Sequence, residues 1–167
     1  MSDDKNRGGL PMALSIIVYI AWLGIAVFYA MKKPYSKMEN SALIFCIFIF
    51  DINRSWITND ELKYITYSTV PLNYTAYIIH RTFITPFFIL IGINSIYRNS
   101  TVLKKGIAIL ISSFILVLIK MVLLKFDVVA FHQWNLVYDY LYYVFLHLLG
   151  FFILSCYSSF VLKGAKN

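Results

Sequence analysis

Seven ionisable side chains stand inside long apolar runs of this sequence: Asp51, Arg54, His80, Arg81, Lys120, Asp139 and His147. An ionisable group deep in a bilayer costs at least ~2.5–3.5 kcal/mol, so it faces a protein interior or a wet cavity and is a site candidate by default. Six of them, Asp51, Arg54, His80, Arg81, Lys120 and Asp139, read as one polar pocket in which the two aspartates balance Arg54, Arg81 and Lys120. The competing reading is structural. Long basic side chains snorkel to the headgroups, Arg54 and Lys120 most easily, and a few ion pairs hold helices together. Arg81 fits that account less well, because it lies about eleven residues, or about 16 Å of helical rise, into its run.

The histidines allow a second chemistry. His80 and His147 lie at similar distances from the starts of their runs, and axial histidines from two helices can hold a haem. Gly150, one turn after His147, would leave room for the macrocycle. A proton relay through the same pair is a further reading, and a hydrogen-bonded core histidine is the bland one.

Other chemistries find no support. The chain has no P-loop, dinucleotide-binding glycine pattern, zinc-ligand spacing, nucleophile elbow or HExxH. No catalytic residue or metal ligand set stands out, and the expected role is non-enzymatic. Without a CxxC, thiol redox chemistry is not expected. Cys46 and Cys156 fall inside apolar runs, where a cysteine acts as a small hydrophobe. The run Trp134, Tyr138, Tyr140, Tyr142, Tyr143 and Phe145 reads as an interfacial aromatic belt, with a ligand-stacking wall as the sharper alternative. Asn53-Arg54-Ser55, Asn73-Tyr74-Thr75 and Asn99-Ser100-Thr101 match a glycosylation pattern that chance often produces.

The elements that must position these residues follow from composition. Of 167 residues, 60% are hydrophobic and 14% charged, with a mean hydropathy of +0.71. Soluble domains hold about 45–50% apolar and about 25% charged residues. The surplus belongs in lipid, where a span needs ~20 apolar residues. Five segments qualify: 11–31, 42–58, 70–97, 106–125 and 135–162. In lipid every backbone polar group needs an internal partner, so each span is a helix; strict alternation, the mark of a barrel strand, is missing. The expected fold is an all-α bundle of five transmembrane helices in one membrane domain, or four if the second is re-entrant. The first run is too long for a signal peptide and reads as a retained span. Pro71 suits a first helical turn. Pro86 should kink the third span, with Thr82 and Thr85 near enough to satisfy the freed carbonyls.

The net charge is +7. Its cations flank the apolar runs and form no stripe, so anionic lipid headgroups, not nucleic acid, are the expected partners. Lys32, Lys33, Lys37, Arg98, Lys104, Lys105, Lys163 and Lys166 fall on one side of the bundle. Lys5, Arg7, Lys63 and in part Arg54 and Lys125 fall on the other. The positive-inside rule then puts the N-terminus outside and the C-terminus in the cytoplasm. On that topology Asp51, Arg54, His80, Arg81, Lys120 and Asp139 come from four helices yet share the outer leaflet.

An aspartate in the middle of span two (FIFDINRSW), a long third span ending before a basic loop, and the segment AFHQWNLVYDYLYYVFLHLL with Trp134 just ahead of a Tyr-rich last span form a pattern. It is similar to a family of small uncharacterised five-span membrane proteins of Gram-positive spore-forming bacteria. The resemblance covers residues 43–162, chiefly as hydropathy layout, with Asp51 and Trp134 as its residue anchors. Where the family carries an acidic residue in the fourth span, this chain has Lys120. The resemblance implies a cytoplasmic-membrane location and a link to sporulation or the cell envelope.

Three functions remain open on these readings. The first is an accessory or scaffold subunit that works through intramembrane contacts with a membrane protein partner or a second copy. The second is a small-solute or ion transporter with an outward-facing charged pocket. The third is a haem- or quinone-binding redox subunit of the bacterial plasma membrane.

Overall fold

The computed structural model describes residues 9–32, 34–97 and 101–164. Lys5, Arg7, Lys33, Arg98, Lys166 and the Asn99-Ser100-Thr101 motif therefore lie wholly or partly outside the described residues. The chain is mostly helical. Among the described residues five helices are long and apolar enough to cross a membrane: Met12–Ala30, Lys37–Glu61, Pro71–Ile96, Val102–Lys125 and Leu136–Cys156.

Helix α1 covers Gly9–Ala30. Helix α2, Lys37–Ser55, starts at a capping box: the Glu39 amide donates to Ser36 Oγ at 3.2 Å, and the Ser36 amide donates to Glu39 Oε2 at 2.7 Å. Two of the four amides orphaned at a helix start are satisfied this way. The same span continues through a π-helical stretch, Trp56–Glu61. The second span is thus a continuous 25-residue helix, five residues longer at its start and three at its end than the apolar run 42–58. Polar residues at both ends hid those turns.

The third span is built from α3, Pro71–Ile79, a π-helical stretch, His80–Ile84, and α4, Thr85–Tyr97. Pro71 occupies the first helical position as expected. The backbone answers Pro86 by widening just before it. The Thr85 amide bonds the His80 carbonyl five residues back, and Thr85 Oγ1 donates to the same oxygen at 3.3 Å. Helix α5 is Val102–Lys125, and α6 is Leu136–Gly164. Asn135 caps α6, its Oδ1 accepting from the amides of Val137 and Tyr138 at 3.0 and 3.2 Å.

The third span is central. It packs against α1, α2, α5 and α6, and 56% of its apolar window is buried against 28–39% for the other four. Leu43, Ile47, Ile84, Ile89, Leu90, Ile93, Leu116 and Leu146 form the apolar core at 0–1% exposure. In lipid such a core adds little hydrophobic drive, so close packing must hold the helices. Small residues allow it: Gly24 faces the Phe88 ring, and Gly150 faces Ile93 and Leu43.

One element falls outside the all-helical expectation. The loops after the second and fourth spans pair as a short antiparallel ribbon, β1 (Ile65–Tyr67) with β2 (Val129–Phe131), in the register Ile65↔Phe131, Thr66↔Ala130 and Tyr67↔Val129. The His132 amide to Tyr64 and the Ser68 amide to Val128 extend the ladder at each end. Three-residue strands carry too little pattern to be read from sequence. Lys63 and Asp127, each with φ near +54° and +53°, turn the chain out of the preceding helices. The ribbon marks one end of the bundle, called the ribbon end below.

A charged layer beneath an open cleft

The second and fourth spans run toward the ribbon, and the third and fifth run away from it. This order brings Asp51 and Arg54 near the end of α2, His80 and Arg81 after α3, Lys120 near the end of α5 and Asp139 at the start of α6 into the ribbon half. The six pocket candidates therefore come from four spans into one layer.

Their side chains are connected. Arg54 Nη1 donates to Asp139 Oδ1 at 2.7 Å. Asp51 stands between two guanidinium groups, 3.7 Å from Arg54 Nε and 3.8 Å from Arg81 Nε. The Arg54 guanidinium lies 4.3 Å from the Tyr142 ring centroid, a favourable cation–π stacking. Asp51, Asp139, Lys120 and His80 are 4%, 0%, 1% and 3% exposed, so they face the protein interior. Lys120 does not snorkel. Its ammonium lies 5.9 Å from the Tyr77 ring centroid, and among the described residues it has no carboxylate within ion-pair distance. Three buried polar atoms in and around this layer have neither a hydrogen-bond nor an ion-pair partner among the described residues: His80 Nε2, Asp139 Oδ2 and the hydroxyl of Tyr143. A buried polar atom left unpaired costs about 1–3 kcal/mol.

The layer lies beneath a cleft of about 680 Å³ that opens at the ribbon end, lined by residues that include Ser55, Thr66, Tyr67, Tyr77 and Arg81. Its floor is a hydroxyl cluster. Ser55 Oγ lies 2.7 Å from the Tyr77 hydroxyl and 3.0 Å from that of Tyr67. The two rings stack at a centroid distance of 3.8 Å. Burial, and then the neighbouring Tyr77, push the Tyr67 phenol well above its ordinary value. Arg81, its side chain 23% exposed, is the one member of the ion-pair chain that lines the cleft. Ser55, Tyr67 and Tyr77 were not singled out in the sequence. Tyr67 is in a loop, and serine and tyrosine are too common in membrane helices to signal a site alone.

The aromatic run divides by facing. Tyr138 and Phe145 are exposed, as a belt requires, whereas Tyr143 is 1% exposed and Tyr142 lies under Arg54. Asn73 is buried at 4%, which removes it as a surface acceptor. Cys46 and Cys156 are free.

The structure does not bring the two histidines together. His147 sits against Gly92, where an added Cβ would lie 2.5 Å from its Nε2, and Gly92 is twelve residues, or about 18 Å of helical rise, beyond His80. Its nitrogens are engaged: Nδ1 donates to the Tyr143 carbonyl at 2.8 Å, with Ser113 Oγ at 3.3 Å, and Nε2 lies 3.0 Å from Ser112 Oγ. The room foreseen at Gly150 is filled by Ile93 and Leu43. These residues do not fit a haem held between His80 and His147. His147 instead belongs to a neutral polar layer with Ser112 and Ser113, deeper than the charged one. A further buried pair, Asn94 donating to Asn40 Oδ1 at 3.3 Å, lies toward the other end.

Comparisons with protein-family models, with curated proteins and with solved structures find no match.

Proposed function

We propose that this chain is a five-span protein of a bacterial plasma membrane, N-terminus outside and C-terminus in the cytoplasm, that takes a small polar solute from the outer face into the ribbon-end cleft and carries it across. The observation that carries this reading is the position of the Asp51–Arg81 contact at 3.8 Å, where a buried chain of ion pairs meets an open cleft. Ion pairs that only tie helices together need no connection to water. Interior charges, a cleft above them and a helix departing from α geometry at the same level recur where solutes cross membranes. Hydropathy layout and the anchors Asp51 and Trp134 support a place in the envelope of a spore-forming bacterium.

The test is flux. Proteoliposomes are screened for protein-dependent uptake of small anions, cations and neutral solutes. Asp51→Asn and Arg81→Gln are expected to insert in normal amounts and to lose uptake; Asp139→Asn is expected to lose uptake with reduced stability. Undiminished uptake in all three would remove the reading.

A second reading rests on the apolar groove between α1, α4 and α5, about 460 Å³ and lined in part by Leu23, Gly24, Val27, Gly92 and Ile111. Small residues in such a groove let another transmembrane helix approach closely, as an accessory subunit requires. Co-purification of one specific membrane protein in mild detergent, abolished by Ile111→Trp on the exposed wall of the groove, would favour it; an unpartnered monomer from native membranes would not.

A further inference from the structure

We propose that the solute is a small oxyanion, a carboxylate or phosphate group in water, received by Arg81 on the cleft floor and held by Lys120 and His80 behind the Tyr77 ring. This deepens the carrier reading and rests on it. The sign of the solute follows from the charges.

The layer holds three cations, the partly buried Arg54 and Arg81 and the buried Lys120, against two buried carboxylates, Asp51 and Asp139, while Asp60, opposite in charge to Arg81, also lines the cleft. Both carboxylates are committed. Asp139 takes Arg54 at 2.7 Å, and Asp51 is shared between Arg54 and Arg81. Lys120 is left as a buried ammonium with an aromatic face and no paired carboxylate among the described residues. The atoms without hydrogen-bond partners are mixed: His80 Nε2 and the Tyr143 hydroxyl can donate or accept, and Asp139 Oδ2 only accepts. Lys120 decides the sign, because an ammonium has three donors and no acceptor. A desolvated cation needs several oxygen ligands around it. An oxyanion needs donors and positive charge, which Lys120 offers together.

The route is also visible. Tyr77 lines the cleft on one side and has the Lys120 ammonium 5.9 Å from its ring centroid, while Lys120 itself does not line the cleft. The ring therefore stands between the open cleft and the buried cation. Its restraints are the Ser55 hydrogen bond and the Tyr67 stack, both of which a side-chain rotation can release. Arg81, already partly exposed, can meet the anion first while keeping Asp51 as a neighbour.

The experiment is equilibrium binding of radiolabelled phosphate and acetate to the full-length protein in detergent. At least one is expected to bind saturably. Lys120→Met and Arg81→Gln should each weaken that binding at least about tenfold, whereas Lys125→Gln, at the exposed end of the same helix, should not. Because Lys120→Met can impair folding, Arg81→Gln and competition between unlabelled phosphate and acetate on the wild type provide independent readings. Monodisperse wild-type protein that binds neither anion overturns the inference, as does stabilisation by phosphatidylglycerol without binding of a free anion. Uptake of a cation or neutral solute in proteoliposomes would overturn it while leaving the carrier reading intact. Saturable anion binding without uptake would do the reverse.

Discussion

Arg54 and Asp139, 85 positions apart in the chain, meet at 2.7 Å with the aspartate fully buried. The contact joins the second span to the fifth. Through Asp51 the same charges reach Arg81 on the third span, so three helices share one electrostatic tie just below the ribbon. A pair so enclosed is costly to break on one side, because the surviving partner stays buried without compensation.

Asp139→Asn or Arg54→Met alone should therefore destabilise the bundle by about 3 kcal/mol. Combining Arg54→Met with Asp139→Leu should recover most of that loss, since no charge is then stranded. Thermal unfolding in detergent measures both. A double variant as unstable as the sum of its single variants would mean that the two side chains act separately.

Gly92 tests the packing of the deeper polar layer. An alanine Cβ there would come within 2.5 Å of His147 Nε2 and 2.7 Å of Ser112 Oγ, whereas at Gly106 nothing lies within 4 Å. Gly92→Ala should cost about 1–3 kcal/mol as overpacking does. Gly106→Ala should be neutral or mildly stabilising, as the helix propensities predict. Equal melting temperatures for the two variants would contradict the packing described.

The ribbon makes a claim about membrane sidedness. Thr66 and Ala130 are directly paired and both exposed, at a separation within the range a disulfide tolerates. Thr66→Cys with Ala130→Cys should cross-link under mild oxidation and shift mobility on a non-reducing gel. Absence of the cross-link in intact membranes would mean that the two loops do not meet, and the five-span order would fail with it.

Tyr67 supplies a pH dependence. Its phenol is held neutral above the ordinary value of 10.0, mainly by burial. The folded state therefore keeps a proton that the unfolded chain loses, and stability falls as pH rises past about 10. The advantage of the wild type over Tyr67→Phe should be full at about pH 8 and should shrink toward about pH 11. Melting temperatures recorded across that interval check the sign; an advantage that grows with pH would refute it.

Much of this was legible in the sequence because lipid penalises charge so heavily. Asp51, Arg81 and Asp139 had to turn inward, and assigning spans by length was enough to bring them to one level. Lys120 was legible as a site residue but not as a buried one, since hydropathy does not record which face of a helix a residue occupies. The deeper position of His147 was hidden for a similar reason. Counting residues from the start of each span assumes that the spans begin at a common plane, and side-chain packing at Gly92 decides otherwise. The ribbon, the Tyr67–Ser55–Tyr77 cluster and the neutral layer around Ser112 depend on contacts between distant parts of the chain, which no local pattern encodes.

The two departures from α geometry, Trp56–Glu61 and His80–Ile84, carry a last consequence. A π turn is an α turn with one residue too many. The wide turn takes up its extra residue with little rotation of the turns on either side. Losing one residue from His80–Ile84 would therefore restore ordinary winding and leave Tyr77 and Asn73 facing inward, whereas losing one from the regular turns of Thr85–Tyr97 would rotate everything upstream by about 100°. The second deletion would leave the span as greasy as before and able to insert, while turning Tyr77 and Asn73 toward lipid. Chain length in the regular turns is thus a tighter constraint than in the wide one.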